Sequence, residues 1–323
     1  MKKRFRCVML AAALLLSGTA AFAQESAPAS DFAYDLNKAG NGVVIIKYTG
    51  KNPAVVIPAE IEGFPVVEIK GYDDYRESYS AFMHNKTIQS VTLPRGVTSI
   101  DRSLFNGCTS LVSVTIPAGV KSIGINAFRD CSALESITIP AGVTSIGESA
   151  FVSSGLTSIV IPDSVTDIGP GAFSSCKKLA SVTLPKNLTQ IKGGTFGGCT
   201  ALTSIVIPAK VTVLGGGEQH GYAEGVFSGC SALSEIVLPN GLKSIGPITF
   251  GGCTQLTAIT IPDSVTTIGS GAFRSCTALS SVTISPVNGR TWTSGGSSAF
   301  SGCSSLGLAE KAKLKKAGYE GTF

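Results

Sequence analysis

Along most of the chain, apolar and small polar residues alternate in short bursts. In Ser136-Ile137-Thr138-Ile139 the isoleucines point one way and the hydroxyl residues the other. That is the period-two pattern of a half-buried strand. Pro140 ends the burst, having no N–H to give to a ladder. Ala141-Gly142 turns the chain, and Val143 and Ile146 supply a second apolar pair, read as another short extended piece. Gly147 turns the chain again. Ser149-Ala150-Phe151 reads as a short helical turn that sends Phe151 inward, and Leu134 completes the coil.

This unit repeats. Phenylalanine recurs at 82, 105, 128, 151, 173, 196, 227, 250, 273 and 300, mostly 23 residues apart. Proline after Ile or Leu marches in step at 94, 117, 140, 162, 185, 208, 239 and 262. Ten such units are present. A coil this short cannot bury its own apolar edge, whereas stacked neighbours can. The expected fold is therefore a repeat solenoid of mainly short parallel β-strands with short helical turns and one continuous core. Its rungs should lie about 4.8 Å apart.

The shared pattern C-x-x-L-x-S-(I/V)-T-(I/L)-P-x-x-V-T-x-I-G-x-x-A-F resembles the 23-residue leucine-rich repeat of BspA-like bacterial surface proteins, the treponemal type included. The resemblance covers about residues 42–306 and is specific for fold. It implies an exported leucine-rich-repeat solenoid used for adhesion to host matrix proteins or to other cells. It leaves the ligand open. The Leu and Asn ladders of other leucine-rich repeats are replaced here by Ile, Val and Pro.

The ends depart from the repeat, as capping units should. Residues 1–23 combine a basic start (Lys2, Lys3, Arg4, Arg6), an apolar run over 7–16 and the small-x-small triplet Ala21-Phe22-Ala23. This predicts a signal peptide cut before Gln24. The run is too short to span a membrane, which takes about 20 residues, and no later apolar run spans one. Residues 24–70 read as a loose N-terminus followed by a cap, with strands over 42–47, 54–58 and 63–69. The solenoid occupies 71–305. Residues 306–323 form the C-terminal cap, helical over 308–317 and stopped by Gly318. The expected location is secreted, cell-surface or periplasmic.

Composition adds little except through the leader. The 323 residues carry 26 Lys+Arg and 21 Asp+Glu. Four of those basic residues belong to 1–23, leaving 22 against 21, or +1, in the mature chain. Electrostatic attraction to nucleic acid or anionic lipid loses its basis. Eight cysteines remain after the leader, at 108, 131, 176, 199, 230, 253, 276 and 303, each three residues after its Phe. One cysteine per coil at one phase reads as a packing ladder of small buried groups. Neighbouring rungs are also close enough to bridge, so free and paired thiols both fit the spacing. No C-x-x-C occurs, so no metal is called for, and no cofactor motif is present.

Catalysis finds no footing either. His84 and His220 sit six rungs apart, about 29 Å at strand spacing, and His84 reads as a surface residue. A lyase of the parallel β-helix kind would need acidic and basic groups clustered on the strand face. The outward strand slots hold Ser90, Ser113, Ser136, Ser158, Ser181, Ser204, Glu235, Ala258 and Ser281 in one column. The other holds Thr92, Thr115, Thr138, Val160, Thr183, Val206, Val237, Thr260 and Thr283. One carboxylate in eighteen positions cannot supply an acid–base pair.

Interruptions of the period point to binding instead. Ile69 to Phe82 and Leu214 to Phe227 each span thirteen residues where five are usual, and four extra residues lie between Ser285 and Phe300. Insertions at one phase project from one side of a solenoid, often the binding side. The first carries Tyr72, Tyr75, Arg76 and Tyr79, the second His220 and Tyr222, the third Arg290 and the single tryptophan, Trp292. Tyr, Trp and Arg are the residue types enriched at interface hot spots. These eight are the candidate partner-binding residues, and the expected ligand is a protein. The uncharged Ser/Thr strand face is the second candidate surface, for an extended protein or a glycan. A structural scaffold in the envelope is the alternative function.

Overall fold

The computed structural model describes residues 25–72, 80–215, 225–285, 291–292 and 298–323. Residues 1–23 lie outside these. The chain winds as a stacked series of coils, most of them contributing two short parallel rungs. The three-residue bursts form the first ladder, in which Ser90–Thr92 lies between Ala54–Val56 and Ser113–Thr115 with residues of like phase opposite one another. The second apolar pair forms a ladder of its own, for example Ser122–Ile123, Ser145–Ile146 and Asp167–Ile168 in register. Both expected extended pieces are present in most coils, but Ser136–Ile139 forms no paired rung. Between them Pro140 accepts a hydrogen bond from the Val143 N–H at 3.0 Å, and Pro117, Pro162, Pro185, Pro208, Pro239 and Pro262 act alike in their coils.

The two ladders differ in continuity. The second ladder runs through Ser99–Ile100 to Asp167–Ile168 and again from Gln190–Ile191 to Thr291–Trp292. The first breaks into pairs after Ser113–Thr115. Ser158–Val160 bonds to Ser181–Thr183, Ser204–Val206 to Glu235–Val237, and Ala258–Ile261 to Ser281–Ile284, and these pairs do not bond to one another.

The expected helical turn around each Phe is a run of hydrogen-bonded turns instead. In seven of the ten Phe coils two residues adopt left-handed backbone, which a helix excludes. In the coil of Phe151 they are Ser149 (φ 54°) and Ser153 (φ 55°). The slots hold mostly Ser, Asn, Asp and Gly, types that enter this region at low cost. The reward is a third ladder. The N–H groups of Ser149, Phe151 and Ser153 bond to carbonyls of the next coil (Pro170, Ala172 and Ser174), while Val152 and Ser154 bond back within their own turn.

The core is an aromatic column. Phe82, Phe105, Phe128, Phe151, Phe173, Phe196, Phe227, Phe250, Phe273 and Phe300 are fully buried. Their rings stack at 5.0–5.8 Å. Beside it runs the cysteine ladder. All eight thiols are buried and free. Each donates to the carbonyl of the preceding coil's Phe, as Cys131 does to Phe105 at 3.1 Å. Burial raises the pKa of Cys108 and Cys230 to about 12 and of Cys176 to about 11. Where the slot holds Ser154, its hydroxyl contacts the Cys176 thiol at 3.2 Å. That coil is one residue shorter than its neighbours, and the chain cuts the corner at Gly155. A Cβ there would lie 2.2 Å from the Ser132 carbonyl oxygen, so only glycine passes.

Both ends are closed. Strands Val43–Tyr48, Ala54–Val56 and Phe64–Ile69 match the expected three. A further strand, Phe32–Leu36, pairs antiparallel with Val43–Tyr48 and forms one edge of a four-stranded N-terminal sheet. Glu60–Ile61 forms a hairpin with Phe64–Ile69 through Glu62 and Gly63, both left-handed. At the other end the helix Leu308–Lys316 ends on Gly318 (φ 89°). The Gly318 and Tyr319 N–H groups bond to the Lys315 and Leu314 carbonyls, closing a Schellman motif over buried Leu314 and Tyr319.

Candidate binding surface

The first two insertions leave the fold at one phase, directly after the second rung and before the Phe turn. The first is pinned at its root. Ala81 N–H bonds to the Lys70 carbonyl, and Tyr72 N–H to that of Arg102, both at 2.8 Å. Gly71 N–H reaches the Asp101 carboxylate at 3.4 Å, which also accepts from the Ser99 hydroxyl at 2.9 Å. Burial raises the Asp101 pKa. Tyr72 itself is half-buried against this root. Of the other candidate residues, Tyr75, Arg76, Tyr79, His220, Tyr222 and Arg290 lie outside the described residues.

Trp292 is corrected from a loop residue to a rung. It pairs with Ile268 in the second ladder and so fills the slot that Ile or Leu fills in other coils. Its ring packs on Tyr319 at 5.0 Å and on Phe300 at 6.1 Å, half-buried within the C-terminal cap. The period count could not show this, because Trp in an Ile slot breaks the pattern used to find the slot.

The strand face is fully described. Its outward residues are exposed, with Ser90 and Thr92 only partly so. Three outward valines stand well into solvent: Val160 at 67%, Val206 at 82% and Val237 at 71%. Val206 and Val237 are opposite one another in paired rungs, as are Ser204 and Glu235. Shallow depressions open beside them. One is lined by Val206, Ala209, Val237 and Pro239, and the next by Glu235, Val237, Ala258 and Pro262, over the unbonded gap between rungs. A third lies by Val160 and Pro162. The sequence places these valines in outward slots, but the depression beside Glu235 and Ala258 lies over a gap between rungs that no single unit shows. His84, left-handed at φ 58°, is exposed as expected. Among the described residues no three His, Cys, Asp or Glu side chains converge on a metal-sized site. Among them, too, no helix is long and apolar enough to cross a membrane.

Comparison with known proteins agrees with this architecture. The family model described as BspA type leucine rich repeat region matches six copies, over residues 77–153, 109–217 and 222–316. A leucine-rich repeat protein from Bacteroides ovatus is 30% identical, with a TM-score of 0.72 over 85% of this chain and 68% of its own. The T. pallidum leucine-rich repeat protein is 27% identical, with a TM-score of 0.52 over 93% of this chain and 99% of its own. No curated protein matches the chain.

Proposed function

Because the chain belongs to the BspA-type leucine-rich-repeat family, its coils are a scaffold, and we propose that they carry an exported binding module. It acts through protein–protein contacts, in adhesion to host matrix proteins or to other cells. The observation that carries this reading is the strand face, where exposed valines stand in slots that need no apolar residue for folding. Clustered exposed apolar side chains on a soluble surface mark interaction sites. The tyrosine-bearing insertions at one phase support a second contact edge. The basic and apolar leader with its Ala21-Phe22-Ala23 triplet supports export. The reading assigns no catalysis, since eighteen outward slots hold one carboxylate.

The test is retention of the mature chain, from Gln24 on, by purified host matrix proteins and by bacterial envelope fractions, with protease shaving of intact cells alongside. Retention by matrix proteins together with loss on shaving is expected. Retention by envelope fractions alone, with the protein spared by protease, would replace adhesion with an envelope scaffold. The uncharged hydroxyl lattice favours a glycan as the ligand in that second reading.

A further inference from the structure

Departures from Ser and Thr in the outward columns are not scattered. Of the eighteen slots only Val160, Val206, Glu235, Val237 and Ala258 depart, and four of these five fall in three consecutive coils. Register brings them into one patch. Val237 faces Val206 across a bonded pair, and Glu235 lies two residues from Val237 on the same face of the rung. On its other side Glu235 borders Ala258, whose small side chain and unbonded neighbouring rung open the second depression. The result is an exposed apolar shelf, formed by Val206 and Val237 with Ala209, Pro239 and Pro262 at its rim, holding a single negative charge.

Resting on the binding reading above, we infer that this shelf is the primary contact, and that its partner is an extended protein segment with an aliphatic side chain beside a lysine or arginine. The valines take the apolar side chain out of water, and the carboxylate of Glu235 complements the cation. Its charge has no competitor among the outward slots of the face. An isolated carboxylate beside an apolar shelf selects by charge as well as by burial, because an acidic segment meets repulsion there. A neutral glycan would make no use of Glu235.

Three labelled ten-residue peptides test this with the mature chain: alternating Leu and Lys, alternating Leu and Glu, and alternating Ser and Lys. A neutral β-linked tetrasaccharide is the fourth probe. The Leu/Lys peptide should bind at least tenfold tighter than the other three. Val206→Asp and Glu235→Lys should each weaken it tenfold or more, and Lys38→Ser, exposed in the N-terminal cap and off this face, should leave it unchanged. Should a substitution disturb the far-ultraviolet spectrum, Glu235→Gln serves instead and should weaken binding severalfold with a shallower salt dependence. Equal binding of Leu/Glu and Leu/Lys, insensitivity to Glu235→Lys, or preference for the tetrasaccharide would overturn the inference. Matrix retention that survives the shelf variants would overturn it too, while leaving the binding reading intact. No retention of the unaltered chain would remove that reading itself.

Discussion

The aromatic column makes a quantitative claim about Phe151→Ala. The Phe151 ring is fully buried and stacks on Phe128 at 5.1 Å with 9° between planes and on Phe173 at 5.2 Å with 2°. Truncating a buried Phe to Ala costs about 4 kcal/mol. Stacked rings contribute about 0.5–1.5 kcal/mol each beyond their area, so the two contacts account for about 1–3 of that total. Phe151→Leu, which refills most of the volume but restores no stacking, should recover about half. At an m-value of about 3 kcal/mol per M urea, the alanine variant should lower the midpoint by about 1 M or more. A solenoid is held by nearest-neighbour interfaces, so a defect in its middle should also uncouple the two halves. The single tryptophan, Trp292, reports the last coil, and circular dichroism reports the whole array. The two transitions should coincide in the parent and separate in Phe151→Ala. A loss below about 1 kcal/mol, or a loss equal to that of the exposed control Val206→Thr, would refute the account of the core.

The thiol ladder predicts that a maleimide at pH 7 labels none of the eight cysteines in the folded chain and all eight in denaturant. Burial holds Cys108, Cys131, Cys176, Cys199, Cys230 and Cys253 above the ordinary thiol pKa of about 8.5. The unfolded chain therefore loses these protons first. Their contribution to stability is complete below about pH 8.5 and falls above it by about 1.4 kcal/mol per pH unit for each thiol. A flat urea midpoint between pH 8 and 10 would contradict this. Ile248 is a β-branched residue at φ 52°, in a slot other coils fill with Ser, Asn or Gly. Ile248→Asn should stabilise by about 1 kcal/mol, read from the same midpoint. Gly155→Ala should destabilise by more than about 2 kcal/mol, because its Cβ would meet backbone rather than a side chain that can move.

The repeat was legible because ten copies average out the ambiguity of any one. Strand bursts, prolines, the Phe column and the cysteine phase all follow from residue type and spacing. The Phe turn was misread because Ser149-Ala150-Phe151 has helical composition, while its geometry is set by bonds to the next coil that no single unit contains. Phe32–Leu36 was folded into the cap without being recognised as a strand, since its own residues do not announce a partner 7 to 16 residues away. Trp292 was read as a loop anchor because an aromatic in an insertion suggests exposure. The shelf needed both the list of outward residues, which the period supplies, and the breaks in the first ladder, which it does not.

Two of the ladders bind in opposite directions. Phe-turn N–H groups donate forward, as Phe151 does to Ala172, and second-rung N–H groups donate backward, as Gly147 does to Ile123. Most coils thus offer their neighbours a like plug and a like socket. A whole 23-residue unit can be duplicated or lost in a lineage with the donors and acceptors of the Phe turns kept in phase. Losing a single residue instead demands a local remedy, and Gly155 is one. The reach of the scaffold, and with it the distance between whatever it holds at each end, is therefore free to change only in whole steps.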